Sequence, residues 1–248
     1  MRGDCGDSVR SHRTLTLTIA AAAAFLVLIG LGTWQLERRQ WKADLIAGRD
    51  AALAAAPIDL PKSGDAARDL EFHRVRATGT FLYDRTLLVH AIERAKGGAG
   101  YLAITPMRLA SGGVVLVERG WIPPAFRDRA RRAEGNPAGE AAVEGILRLA
   151  PERRPDWFVP DNDPAKGEWY FIDLAAMARA AGVPEALPFY VEAGPAPNPG
   201  GYPLGDQANT ELRNEHLQYA ITWYCLAAAL AVIYVLLLRR ERASTRKP

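Results

Sequence analysis

Hydrophobic positions divide this chain into three parts. Leu15 to Leu36 and Leu217 to Leu238 are unbroken apolar stretches of 22 residues without a formal charge. About 20 mostly apolar residues suffice for an α-helix to cross a hydrocarbon core of roughly 30 Å. Between them the pattern changes to short runs with the two-residue period of strands. FHRVRATGTF (72–81) alternates and breaks at Gly79, and TLLVHAIE (86–93) is a second run. GGAG (97–100) reads as a turn, and YLAITPMRLA (101–110), SGG and VVLVERGWIP (114–123) read as a hairpin. AAVEGILRL (141–149) and PFYVEA (188–193) add two more strands. Helical spacing is confined to 37–56, continuing the first apolar stretch, and to 172–181, which Gly182 and Pro184 end. Two segments read as loops: RDRARRAEGNPAG (127–139), and GPAPNPGGYPLG (194–205) with its four prolines and four glycines. The second reads as a spacer before the second apolar helix.

The predicted architecture is a membrane protein in which two transmembrane helices flank an extracytoplasmic α+β domain built on an antiparallel sheet. Its predicted parts are an inner tail (1–14), the first span (15–36), the outer domain (37–215), the second span (217–238) and a basic inner tail (239–248). A cleaved signal peptide is the other reading of the first stretch. Its apolar core would end within about 15 residues at a small-residue cleavage site, whereas here apolar character continues to Trp34. Lys and Arg near a span resist translocation. Arg239, Arg240, Arg242, Arg246 and Lys247 follow the second span and only Arg213 closely precedes it, so the C-terminus is expected inside. The first span is flanked by bases on both sides; two spans place both termini on one side and the domain outside.

Charge by region then changes meaning. The whole chain carries +3, but the two tails hold most of the excess, leaving 23 bases against 25 acids between them. A near-neutral domain does not present the basic face that nucleic acid requires. Cys5 and Cys225 lie in a tail and a span, so the domain has no cysteine for a disulfide, a thiolate zinc site or a nucleophile. Its histidines, His73 and His90, sit in strand-like surroundings, and Met107 and Met177 are not clustered as copper ligands would be. GGAG lacks the Lys and Ser/Thr of a phosphate loop. Ser63 and Ser111 occupy turn-like stretches without an aligned base, and Asp161 and Asp163 fall in a DNDP turn.

Candidate chemistry gathers at the membrane boundary. NEHLQYAITWY (214–224) opens the second helix, and positions 216, 219, 220 and 223 share one helical face. His216 thus stands above Tyr219 and Trp223. One reading is an axial ligand to haem iron with rings packing the macrocycle; the other is a polar cap above an interfacial aromatic belt. GTWQLERRQWK (32–42) closes the first span, placing Trp34 at the interface and Gln35, Arg38, Arg39 and Lys42 beyond it. Gly30 and Gly32 would let the two helices approach, with Trp34 facing Tyr219 and Trp223. Arg38 and Arg39 would meet lipid phosphates or haem propionates.

GTWQLERRQWK, GTF (79–81), GYLAITP (100–106), VERGWIP (117–123) and NEHLQYAITWY follow one another in the order and spacing of the surfeit locus protein 1 family, which the chain resembles from about Gly32 to Tyr234. The resemblance implies a non-enzymatic factor for cytochrome c oxidase assembly, binding haem a and assisting its insertion into the catalytic subunit. Its expected partners are that subunit, other assembly factors and the lipid bilayer. The family's histidine falls on His216, with Tyr219, Trp223 and Trp34 as packing partners, and the 119–123 segment is a candidate contact surface. A structural chaperone that never touches haem is the alternative. Two departures stand out: Glu215 replaces an asparagine, putting beside His216 a carboxylate that favours the protonated ring over the metal-binding one, and Glu118 replaces another. A bacterial inner membrane is expected, since Asp4 and Asp7 interrupt what an acid-poor mitochondrial presequence would need; the mitochondrial inner membrane is the alternative.

Overall fold

The computed structural model describes residues 4–95, 97–149, 156–207 and 214–245. Arg213, Arg246 and Lys247, used above to orient the second span, lie outside the described residues. The chain divides into a helical unit, 1–47 with 212–248, and a second unit, 48–211.

Among the described residues, two helices are long and apolar enough to cross a membrane. They belong to α1 (Asp4–Ala54) and α4 (His216–Thr245). Within the helical unit they run antiparallel, as the order of their cross-contacts shows. Tyr234 donates its hydroxyl to Thr18 at 2.7 Å, and Tyr224 lies 3.2 Å from the Thr33 hydroxyl. Small residues carry the close approach, as expected where lipid competes with apolar contacts. Ala220 and Ala227 are buried, and a Cβ on Gly32 would stand 2.7 Å from the Tyr224 ring. Gly30 has open space around it, so of the two expected glycines only Gly32 is at the seam.

The second unit is a sheet of seven strands with a short helix, α2 (Gly64–Ala67), before the second of them. These are β1 (Ile58–Asp59), β2 (Arg74–Phe81), β3 (Leu87–Ile92), β4 (Ala99–Leu109), β5 (Val114–Ile122), β6 (Glu140–Leu149) and β7 (Phe189–Ala193). Their order is β1-β2-β6-β7-β5-β4-β3, with a further pairing of β2 to β4 that closes the central five into a ring. Gly79 permits the closure, because a side chain there would collide with the backbone of Arg108 and Leu109.

The sheet is mixed, not antiparallel as expected from the sequence. β5 pairs parallel to β7, and β1 parallel to β2. Ring closure supplies the reason for the first: five strands cannot alternate direction all the way round, so one pair must be parallel. β6 leaves its neighbour in sequence to pair with β2, and β7 fills the gap between β6 and β5. The long connection from β6 to its antiparallel neighbour β7 carries α3 (Leu174–Ala180), which matches the helical spacing at 172–181. Asp173 caps it by accepting from the Ala176 amide, and Gly182, at φ 68°, ends it.

Two apolar clusters follow from the pleat, since alternate residues face opposite sides. Val75, Ala77, Met107, Val115, Val117, Leu147, Phe189 and Val191 fill the ring. Ile104, Val114, Leu116 and Tyr190 face outward beneath Trp169 and the Leu174, Met177 and Ala178 side of α3. β5 is buried along its whole length because it has core on both faces, which is why VVLV reads as a continuous apolar run rather than an alternation.

The 194–205 segment is not the spacer its composition suggests. Trp121 and Leu204 exchange backbone hydrogen bonds, each 2.8 Å. Tyr202 packs its ring against Phe126 at 4.6 Å. Gly120 permits this docking: its φ is 124°, and any Cβ would overlap the Leu204 carbonyl. Prolines and glycines here shape a strap rather than free a linker.

Candidate functional site

The site predicted at the membrane boundary is built by the ends of the helix pair. His216 begins α4 and is half-buried, with its Nδ1 2.7 Å from the Gln35 carboxamide oxygen of α1. One turn further along α1, the Arg39 carbonyl accepts from the Asn214 amide at 3.0 Å. Residues 35 and 39 share a helix face, so the entry to α4 is tied to α1 by backbone and ring together. Among the described residues, buried Asn214 Oδ1 has no hydrogen-bond partner. Arg38 stacks over Trp41 at 3.8 Å instead of reaching across the pair.

The aromatic residues separate. Trp223 is half-buried, whereas Tyr219 is 54% and Trp34 53% exposed. Among the described residues, no two of these three rings stack on one another. The ring that meets α1 is Tyr224, against Gly32 and Thr33. Tyr224 and Gln35 are the contributors that spacing along one helix could not identify. The signal available was Gly32, Gln35 and Arg39 lying on one stripe of α1, which becomes meaningful only once the stripe is known to face α4.

Inside the second unit, the 119–123 segment holds a different constellation. Arg119 follows Val115 and Val117 on the ring-interior face of β5 and is 5% exposed. Its guanidinium donates to Asn136 Oδ1 at 2.7 Å, to Asn198 Oδ1 at 3.2 Å and to the Gly135 carbonyl. It also lies 5.0 Å from the Phe81 ring and 4.9 Å from the Tyr83 ring. Arg119 therefore binds the 127–139 and 194–205 loops to the mouth of the ring. That is a scaffold, in which three of the guanidinium's five N–H groups are engaged by these loop oxygens.

Glu118, on the opposite face, pairs in register with Glu192 across the parallel β5–β7 seam. Arg148 donates to both Glu192 oxygens, at 2.9 and 3.1 Å, and Tyr190 donates to one at 3.2 Å. Burial first, and the Glu192 charge second, push the Glu118 carboxyl up to about 8, against the pull of Arg148. Native Glu118 thus keeps its proton in a range where the unfolded chain loses it, between the ordinary 4.5 and about 8. The native state binds more protons there, so stability falls as pH rises through that window. Glu118→Gln is expected to flatten this loss and to be more stable than the parent at pH 9 by about 1–3 kcal/mol, with little difference near pH 4. Denaturant midpoints across that range check it; parallel profiles for both proteins would refute it.

His90 lies in β3, 2.7 Å from Glu168, which also accepts from Arg127 at 3.0 Å, and stacks on Tyr170. This fastens the 168–171 segment along the β3 edge. His73 immediately precedes β2. Among the described residues, no three His, Cys, Asp or Glu side chains gather as metal ligands would.

Fold and site together define a class: a protein with two membrane-length helices, joined at one end by a histidine–glutamine contact, carrying a closed mixed-sheet domain. The sequence profile of the SURF1 family matches residues 22–228. A SURF1-like protein of Monosiga brevicollis is 40% identical over 236 residues, covering 90% of this chain and 88% of that protein. Surfeit locus protein 1 of Rattus norvegicus is 36% identical over 255 residues (91% and 81%), and that of Homo sapiens 36% over 220 residues (83% and 72%). The chain belongs to the SURF1 family.

Proposed function

We propose that this chain is a non-catalytic assembly factor for cytochrome c oxidase, binding haem a through His216 and assisting its insertion into the catalytic subunit. The observation that carries the reading is the His216 ring, held through its Nδ1 by Gln35 at the end of the helix pair. A single imidazole donor, with Trp34 and Tyr219 exposed on the same two helices, fits a flat, largely apolar macrocycle with an iron that takes axial nitrogen. When bound, haem a supplies a redox-active iron open to axial ligation. His216 would hold the iron, and Tyr219, Trp223 and Trp34 would cover the apolar ring surface. In this reading the donor lies at the membrane boundary, and the Arg119-braced face of the domain is the contact for oxidase subunits and other assembly factors.

Separation of the three rings favours a second reading, in which Trp34 and Tyr219 form an interfacial belt and the protein is a structural chaperone without haem. For the membrane, the distribution of bases supports a bacterial inner membrane with both termini inside, while the eukaryotic sources of the relatives support a mitochondrial inner membrane.

The deciding experiment is the visible spectrum of the detergent-purified full chain from cells producing haem a, beside His216→Ala. Haem a bands in the parent, and loss of most of the bound haem in the variant, are expected. Haem in neither leaves the structural chaperone; equal haem in both moves the ligand away from His216.

A further inference from the structure

The contact between Gln35 and His216 has a chemical sense as well as a structural one. A carboxamide oxygen only accepts hydrogen bonds, so the Nδ1 atom that faces Gln35 Oε1 at 2.7 Å carries the hydrogen. A neutral imidazole has one N–H, and its Nε2 is then a bare lone pair. Histidines that bind metals are commonly arranged this way: a partner on one ring nitrogen fixes the tautomer and orientation and makes the other nitrogen a better donor.

A second observation is independent of the ring. Asn214 anchors the approach to α4 on the Arg39 carbonyl, one turn beyond Gln35 on the same helix. The backbone leading to His216 and the imidazole itself are thus fixed to one stripe of α1, although 181 residues separate Gln35 from His216. A histidine serving only as a helix-entry cap would need neither anchor.

We propose that Gln35 is the positioning residue of His216, holding the imidazole in the Nδ1–H tautomer so that Nε2 is the nitrogen offered to the iron of a metalloporphyrin. The iron part rests on the haem reading above. The tautomer part stands on the hydrogen bond alone, and the two are tested separately.

The full chain, labelled with ¹⁵N-histidine in detergent and free of haem, is compared with Gln35→Leu and Gln35→Glu by long-range proton–nitrogen correlation, with His216→Ala assigning the signal. The parent is expected to show Nδ1 protonated and Nε2 bare. Gln35→Leu should revert toward the tautomer mixture of free histidine, and Gln35→Glu, which keeps an acceptor, should retain the hydrogen on Nδ1 when measured above the pH at which its carboxylate adds a second proton to the ring. With haem a added, Gln35→Leu is expected to bind roughly 10- to 100-fold more weakly. Gln35→Glu should bind with parental affinity but at a lower midpoint potential, because a carboxylate makes the imidazole more electron-rich. A parent protonated on Nε2, or a Gln35→Leu protein with the parent's tautomer, overturns the proposal. The expected tautomers without any haem uptake sink the haem reading and leave the assignment of Gln35 intact.

Discussion

Arg119→Ala is expected to destabilise the sheet domain by about 3–5 kcal/mol. Removing one partner of a buried, charge-assisted hydrogen bond costs about 1.5–3 kcal/mol, and here three oxygens lose a donor together: Asn136 Oδ1, Asn198 Oδ1 and the Gly135 carbonyl. The stacked Phe81 and Tyr83 rings lose the cation beside them, worth about another 0.5–2 kcal/mol. Hydration of the freed loops returns part of this, which sets the upper bound. Lysine should rescue little, since a point charge cannot reproduce a planar fork with several fixed donors. Denaturant unfolding of the full chain measures the loss. Limited proteolysis locates it, with faster cleavage expected in both 127–139 and 194–205. Parental stability in Arg119→Ala would mean that the loops hold themselves, and the scaffold role would be lost.

Trp169→Ala is expected to cost about as much, 3–5 kcal/mol, as large aromatic truncations in a packed core do. Trp169 is fully buried among Val89, Ile104, Leu174 and Met177, and its backbone bridges to Val89 on β3. Losing the ring therefore opens a cavity under α3 and loosens the segment that covers the edge of the sheet. A second substitution separates volume from polarity. Trp169 Nε1 is buried without a hydrogen-bond partner, so Trp169→Phe keeps most of the ring while removing an unsatisfied donor, whose burial costs about 1–3 kcal/mol. Trp169→Phe should lie within about 1.5 kcal/mol of the parent. If it is as damaging as alanine, the indole N–H has a partner and the packing argument is wrong.

Local pattern sufficed where neighbours in sequence supply the constraint. RVRATGTF alternates exposed and buried residues along β2 as its period of two implies, and the alternation runs through Gly79 to Thr80 without the expected break. Leu116 and Val117 sit in different cores, which explains why VVLV shows no alternation. The two long helices followed from length and apolarity, and Gly182 marked the end of α3. His216 stood out because a polar ring at the start of an apolar helix is chemically conspicuous.

What the sequence could not specify is which distant segments meet. Strand alternation determines the faces of β5 but not its neighbour, and the parallel seam with β7 exists because an odd ring of strands must contain one. Composition marked 194–205 as irregular, yet Asn198 meets Arg119 from 79 residues away and turns that segment into a strap. Spacing put Tyr219 and Trp223 near His216, whereas helix pairing put Gln35 on its ring and Tyr224 against Gly32. By itself, then, the sequence determined the elements and the conspicuous residues, because periodicity and apolar length act within one segment. Only the tertiary structure decided the partners, among them the Glu192 carboxylate beside Glu118 and the Gln35 carboxamide on the His216 ring, because burial and hydrogen bonding depend on groups that the chain brings together from far apart.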